Sequence, residues 1–266
     1  MPAVTASTRR DRFTVEPASG GLQLVDPSSP AGVQPSGLMG WSLAFSDEFN
    51  GSSLDRLKWD TVYPAWPRFL AQSPGGNRTN TDNANYYSDA LATVDGSSNL
   101  VLTMAQDSTT YPGLSYKSGM VQSLKSFTTS PGSFVEMRIQ VPVLSNIIWP
   151  AGWESNAATD QWPPETDIFE LFGMGPGIEQ NVYVTTSDKD TVHVNAPSSL
   201  TSWHTYGAWW KSDGTTVFYI DGAVSRTSSK AIGGSQYLIL NLAARTGQSW
   251  PGANPTMLVD YIRSWR

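Results

Sequence analysis

The chain contains no cysteine among its 266 residues. Disulfide bridges, thiolate metal sites and cysteine nucleophiles are therefore all excluded. Because no part of the chemistry depends on thiol redox state, the absence of cysteine is compatible with any compartment.

Charged residues are also few: they make up 15% of the chain, and the net charge is −6. A nucleic acid partner requires a basic surface, so we predict no nucleic acid binding. The acidity also disfavours strongly anionic substrates, whereas neutral polymers remain compatible with it. The sequence has no run of about 18 apolar residues, so we predict no membrane association through a spanning helix. Arg9, Arg10 and Arg12 are not followed by an apolar stretch, so they do not predict a secretion signal.

Apolar residues, by contrast, make up 39% of the chain, and there are 23 Gly and 18 Pro. This composition favours many strands joined by turns over long helices. Short apolar or alternating segments predict strands at the following positions: Leu100–Met104, Phe134–Val141, Val217–Ile220, Tyr237–Leu242 and Met257–Ile262. Tight turns are predicted where Asp precedes Gly: Asp95-Gly96, Asp213-Gly214 and Asp221-Gly222. We therefore predict an all-β fold, a β-jelly-roll sandwich of two antiparallel sheets with a concave groove suited to a polymer.

Residues 1–37 differ from the rest, because they are rich in Pro, Ser, Ala and Gly and lack sustained periodicity. We interpret them as an N-terminal extension or linker, which either is a free tail or docks on its own domain or on another subunit. Residues 38–266 are predicted to form a single domain. The chain has 11 Trp and 10 Tyr; these rings can fill the core of a large sandwich or stack on the C–H faces of sugars.

The most informative segment runs from Trp162 to Leu171 and carries three carboxylates, Glu165, Asp167 and Glu170. Side chains alternate along a strand, so the first two share a face and the third does not. A β-bulge at 168–169 would insert one extra residue and return Glu170 to that face. We therefore predict three acids on one wall of the groove.

Carboxylates on one face repel each other, so such a cluster persists mainly where function uses it. Two carboxyls about 5–5.5 Å apart perform retaining glycoside hydrolysis, in which one attacks the anomeric carbon and the other protonates the leaving oxygen. The same cluster could instead bind a cation such as Ca²⁺, or it could be an acidic strand without function. Spacing alone leaves catalysis and metal binding open.

The order Glu-x-Asp-x-x-Glu after Trp-Pro-Pro resembles the signature of glycoside hydrolase family 16, in its laminarinase-like, bulged branch. Further segments of this chain resemble the family in the same order: Phe45–Gly51, Val94–Gly96 with Leu100–Thr103, Gly132–Arg138, Trp149–Trp153, Trp203–Gly207, Phe218–Gly222 and Val259–Arg263. The likeness extends over about residues 41–266. It implies the jelly-roll fold and a catalytic role for each acid: Glu165 as nucleophile, Asp167 as assistant and Glu170 as general acid/base.

The resemblance also implies residues that contact the substrate: Trp149, Trp153, Trp162, Arg138, Asn85 and His204. For His204 the alternative is a hydrogen-bonded histidine within the core, and for Arg138 it is a salt bridge with Glu136. The resemblance further implies a structural Ca²⁺ held by Asp260 and Glu48, remote from catalysis, which itself needs no cofactor. The segment Gln180–Thr186 departs from the family pattern, in which a histidine follows the acid motif.

We therefore expect a retaining endo-β-glycoside hydrolase that acts outside the cell on a polysaccharide, and most specifically on β-1,3-glucan. Agarose-like or galactan polymers, and transglycosylation, are the alternatives within the same chemistry. A carbohydrate-binding structural module with the same fold, for example in a phage virion, is the alternative outside it. A Ca²⁺-dependent adhesion domain is a third reading, but the chain lacks the ligand-rich loops of such sites.

Overall fold

The structure, a computed structural model, describes residues 22–63, 82–158, 162–175 and 177–266. Within these ranges the chain is almost entirely strands and turns, and no helix is long and apolar enough to cross a membrane. One 3-10 turn lies at Asp89–Leu91. The strands are β1 Leu43–Asp47, β2 Asn85–Tyr87, β3 Ala92–Val94, β4 Leu100–Gln106, β5 Tyr116–Ser118, β6 Met120–Gln122, β7 Phe134–Gln140, β8 Ile148–Asn156, β9 Glu165–Glu170, β10 Gly177–Tyr183, β11 Lys189–Asn195, β12 His204–Trp210, β13 Thr216–Ile220, β14 Ala223–Ser228, β15 Gln236–Ala244 and β16 Thr256–Trp265.

The strands form two packed sheets, which confirms the predicted jelly-roll sandwich. The outer sheet has the order β14-β13-β12-β7-β16-β4-β5-β2, with β1 beside β16 and β3 beside β4. The cleft sheet has the order β11-β10-β9-β8-β15-β6. Neighbouring strands run antiparallel, except for β2 and β5, which pair in parallel. Each predicted strand segment overlaps an observed strand, and Gly96, Gly214 and Gly222 have the positive φ that their turns require.

The core lies between the two sheets, where strands of both present apolar side chains. Phe169 of the cleft sheet packs on Tyr206 of the outer sheet, with ring centroids 4.5 Å apart. Gly152 lies in the same layer of the core, and a Cβ at this position would lie 2.1 Å from Sδ of Met137. A side chain at residue 152 would require the side chain of Met137 to move, so glycine favours close approach of the two sheets beneath β9.

Residues 22–41 cover the face of the outer sheet that points away from the cleft sheet. Trp41 packs edge-on against Phe134 and Trp209, with centroid distances of 5.6 and 5.7 Å. The indole nitrogen of Trp265 donates a hydrogen bond to the carbonyl of Val33 at 2.9 Å. In the structure this part of the predicted extension therefore contacts its own domain; residues 1–21 lie outside the described ranges.

Candidate active site

Strand β9 carries the three acids, and it contains the predicted bulge. Opposite β10, Asp167 pairs with Asn181 and Glu170 pairs with Glu179, so three steps on β9 match two on β10. Opposite β8, the register shifts at the same place. The extra residue lets Ile168 and Phe169 both enter the core. Glu165, Asp167 and Glu170 consequently share the face of the cleft sheet that points away from the core, as the sequence predicts.

Directly paired residues on neighbouring strands project from the same face of a sheet. Each acid therefore belongs to a row that continues across β10 and β11. The three rows are Glu165–Tyr183–Lys189, Asp167–Asn181–Thr191 and Glu170–Glu179–His193. On the β11 side Lys189, Thr191 and His193 are exposed, so the cleft is open to solvent there.

Glu165 stands at the start of β9 and is the most accessible of the three acids. The indole nitrogen of Trp162 donates to its Oε2 at 2.8 Å. This charge-assisted hydrogen bond restricts the orientation of the Glu165 carboxylate. The Trp162 ring also lies 5.7 Å from that of Tyr183, so the two aromatic side chains flank the carboxylate of Glu165.

Glu170 is buried and is held from both sides. The indole nitrogen of Trp149 donates to its Oε1 at 2.7 Å, and the amide of Asn181 donates to its Oε2 at 3.1 Å. Burial, followed by the negative charge of Asp167, raises the pKa of Glu170 well above the usual value for a glutamate. This carboxyl can therefore retain a proton near neutral pH, which a general acid requires.

Asp167 lies between the two glutamates and is also buried. Burial, followed by the charge of Glu165, raises its pKa well above the usual aspartate value, while a hydrogen bond from Asn181 opposes that shift. An acid in this position can share a proton with its neighbour and hold it in orientation.

On the β8 side of Asp167, other side chains cover the face of the cleft sheet. Trp153 pairs directly with Asp167, but it is only 7% exposed, and the ring of Tyr63 stacks over it with centroids 6.3 Å apart. Its indole nitrogen donates to Asn241 at 2.7 Å. Trp153 thus contributes to the floor beside the acids, whereas Trp149 and Trp162 contact the carboxylates themselves.

The side chains of two other residues predicted to contact substrate are engaged by groups of the protein itself. Asn85 is fully buried; its amide nitrogen donates to Ser118, and its amide oxygen accepts from the backbone of Ala244. Arg138 is on β7 of the outer sheet. Met137 faces the core, so Arg138 points to the opposite, outer face, where it pairs with Asp260. The salt bridge considered as an alternative for Arg138 therefore exists, but its partner is Asp260.

His204 begins β12, also in the outer sheet. Its two ring nitrogens each lie 2.8 Å from an oxygen, one of Asp221 and one of the Ser199 backbone. Both nitrogens have hydrogen-bond partners, as the alternative of a hydrogen-bonded histidine requires, and the sugar contact stays a prediction. Period-2 alternation indicates which residues of a strand share a face, but it cannot tell which of the two faces meets the groove.

Asp260 and Glu48 do not fit the implied calcium site. Arg138 occupies the Asp260 carboxylate, and the Arg263 guanidinium binds both oxygens of Glu48 at 2.9 and 2.6 Å. Ser29 adds a third hydrogen bond to Glu48. A cation would have to displace an arginine from each carboxylate. Across the described ranges, no group of three or more His, Cys, Asp or Glu side chains is arranged to hold a metal.

The sequence reasoning missed Glu179, Asn181 and Tyr183, which form the wall of the cleft beside the acids. The available signal was their period-2 spacing in the segment after the acid motif, which departs from the family pattern. Their position became readable only with the register of β10 against β9.

The fold and the site together define a class: a β-jelly-roll protein with three carboxylates on a bulged strand of its cleft sheet. Residues 78–263 match the model of the family described as glycosyl hydrolases family 16. The chain belongs to this family. It is 25% identical over 287 aligned residues to glucan endo-1,3-beta-glucosidase A1 of Niallia circulans, an alignment that covers 92% of this chain and 40% of that relative. The chain thus spans less than half the length of this relative.

Two solved structures share the fold. The endo-beta-1,3-glucanase of Pyrococcus furiosus superposes with a TM-score of 0.69 at 24% identity, covering 85% of this chain and 94% of its own. The laminarinase catalytic domain of Thermotoga maritima does so with a TM-score of 0.70 at 23% identity, covering 86% of this chain and 99% of its own.

Proposed function

We propose that the chain is a retaining endo-β-glycoside hydrolase that acts on β-1,3-glucan outside the cell. The observation that carries this proposal is the bulge in β9, which brings an accessible glutamate and a buried glutamate of raised pKa to one face. Two carboxyls with different environments are what an acid and a nucleophile require.

In the first step, the ionised carboxylate of Glu165 attacks the anomeric carbon and forms a covalent glycosyl ester. The bond from that carbon to the leaving oxygen breaks, and the oxygen takes the proton of Glu170. In the second step, the Glu170 carboxylate removes a proton from water as the water oxygen attacks the anomeric carbon. The ester bond to Glu165 then breaks, so both carboxyls return to their starting states.

Asp167 assists without bonding to the sugar. Its buried carboxyl lies two residues after Glu165 on the same face of β9. The charge of Asp167 raises the pKa of Glu170. Trp162 and Trp149 hold the two catalytic carboxyls through their indole nitrogens, and their rings offer faces on which a pyranose can stack. These steps use only side chains of this chain and need no cofactor.

A neutral glucan is the substrate favoured by the charge of the cleft. Four acidic side chains, Glu165, Asp167, Glu170 and Glu179, lie in adjacent rows, and those that are ionised would repel a sulfated polymer. The name of the Niallia circulans relative supports a β-1,3 linkage and internal cleavage. The open β10–β11 side of the cleft can accommodate sugars on one side of the cleaved bond.

The test is release of new reducing ends from laminarin, mixed-linkage glucan, agarose and carrageenan, with Glu165→Gln measured in parallel. We expect release from laminarin and a loss of about 10³-fold or more in the variant, because the covalent path is removed. Asp213→Asn, in the β12–β13 turn of the outer sheet, serves as a matched one-charge control and should retain activity. Equal rates for Glu165→Gln and the unaltered chain would rule out the nucleophile, and a chain that binds laminarin without cleaving it would instead be a binding module.

A further inference from the structure

Glu179 is a fourth carboxylate on the catalytic wall. It lies on β10 directly across from Glu170, so both side chains project from the same face. Its neighbour on β11 is His193, whose Nε2 lies 3.6 Å from Oε1 of Glu179. The imidazole is 63% exposed and the glutamate only 19% exposed, so Glu179 lies between solvent and the buried Glu170.

Asn181 connects the two glutamates. Its amide nitrogen donates to Oε2 of Glu170 at 3.1 Å and to Oε2 of Glu179 at 3.3 Å. Its amide oxygen accepts from the backbone of Val192 at 3.1 Å, and this bond fixes the orientation of the amide. The side chain of Asn181 is fully buried. The two carboxyls are thus held by one oriented amide group, and moving or neutralising one of them affects the other.

The charged and titratable groups around Glu170 come from several elements. They are Asp167 and Glu165 on β9, Glu179 and Tyr183 on β10, Lys189 and His193 on β11, and Arg245 after β15, whose guanidinium stacks on Phe172 beside Trp149. Strand β8 contributes Trp149 and Ala151 at this position, and neither titrates. Among these groups, Glu179 is the one that shares with Glu170 both a direct cross-strand pairing and a hydrogen-bond donor.

We propose that Glu179 is a positioning residue for the acid/base. Its charge, held near Glu170 by the shared Asn181 amide, keeps the proton on Glu170. The proposal rests on the proposed function, because a proton on Glu170 matters only if Glu170 is the general acid. It also accounts for an acid at this place on β10, where a fourth negative charge would otherwise only add repulsion.

The direction of the effect follows from electrostatics. A negative charge beside a carboxyl disfavours its ionised form, and Glu179 contributes in this sense to the raised pKa of Glu170. Activity requires protonated Glu170, so the rate falls as the pH rises through that pKa. Removing the charge of residue 179 lowers the pKa of Glu170, and the loss of activity at high pH then begins at a lower pH.

The experiment compares three variants with the unaltered chain. Glu179→Gln keeps the shape and the hydrogen-bond acceptor but removes the charge, Glu179→Asp keeps the charge, and Asp213→Asn removes one charge from the outer sheet. The titration of Glu170 is followed by NMR with ¹³C-labelled glutamate carboxyls, and its signal is assigned by its loss in Glu170→Gln. The pH dependence of kcat on laminarin is measured alongside.

For Glu179→Gln we expect the Glu170 titration and the high-pH limb of kcat both to move down by about one pH unit. Glu179→Asp and Asp213→Asn should leave both within a few tenths of a unit. An unshifted Glu170 titration in a folded Glu179→Gln protein overturns the inference, as does an equal shift in Glu179→Asp. The NMR readout does not depend on turnover: an unaltered chain that cleaves nothing would reject the proposed function, and the Glu170 titration would still decide whether Glu179 raises the pKa of Glu170.

Discussion

Glu154 and Glu170 are buried carboxyls on neighbouring strands of the cleft sheet, and they point to opposite faces. Glu170 faces the cleft, where indole and amide groups hold it. Glu154 pairs with Leu238 and Thr166 on the core side, where the hydroxyl of Thr129 donates to it at 2.6 Å. Burial raises the pKa of Glu154 from 4.5 to about 7. Burial thus has different consequences on the two faces. It helps to keep a proton on Glu170 in the cleft, whereas ionisation of Glu154 on the core side lowers stability.

Because the folded protein holds a proton on Glu154 that the unfolded chain releases above about pH 4.5, stability falls as the pH rises between 4.5 and about 7. Ionising Glu154 in place should cost about 3 kcal/mol at pH 8. We expect Glu154→Gln, which cannot ionise, to raise Tm by several degrees at pH 8 and to change it little at pH 5. Thermal unfolding at both pH values tests this; an equal effect at pH 5 and pH 8 would show that Glu154 does not titrate in this range.

Strand β9 shows at the scale of one element what the sequence could predict. The acids at 165, 167 and 170 cannot share a face in a regular strand, and apolar side chains at 168 and 169 require two successive residues in the core. Together these facts predict a bulge, and the register confirms it. Asn85, Arg138 and His204 were not predictable in this way, because alternation identifies a shared face but not whether it meets the core, the cleft or solvent.

Residues 22–41 form a second element whose role depends on contacts far along the chain. The backbone of Ser36 donates to Glu136 at 2.8 Å, and Val33, Leu38 and Trp41 pack against an aromatic group around Phe134. Composition alone could not predict these contacts, because they depend on the outer face of the outer sheet being aromatic.

We expect a chain beginning at residue 42 to be less stable than one beginning at residue 22. Losing these contacts exposes Phe134 and Trp265 to water and should cost about 3 kcal/mol or more, which corresponds to a Tm lower by roughly 6–12 °C. Differential scanning calorimetry of the two chains isolates the contribution of residues 22–41. Equal Tm values would show that the segment adds nothing to the stability of the domain.

At the scale of the whole molecule, the two sheets have different tasks. The outer sheet pairs its charges with each other, as in Glu48 with Arg263 and Arg138 with Asp260. The cleft sheet has carboxylates in adjacent rows, and Lys189 and His193, which continue two of these rows, are on the exposed edge strand β11. Oppositely charged pairs are typical of a structural scaffold, whereas several acids close to each other are typical of a catalytic site.

In the proposed mechanism, Glu165 and Glu170 act on opposite sides of one glycosidic bond, and a covalent intermediate forms between the two steps. Two inversions at the anomeric carbon leave its configuration unchanged. Proton NMR of the first sugar released from laminarin, recorded before mutarotation, measures that configuration directly. We expect the β-anomer to appear first and the α-anomer to follow by mutarotation. Initial release of the α-anomer would mean a single displacement by water, and Glu165 would then not be the nucleophile.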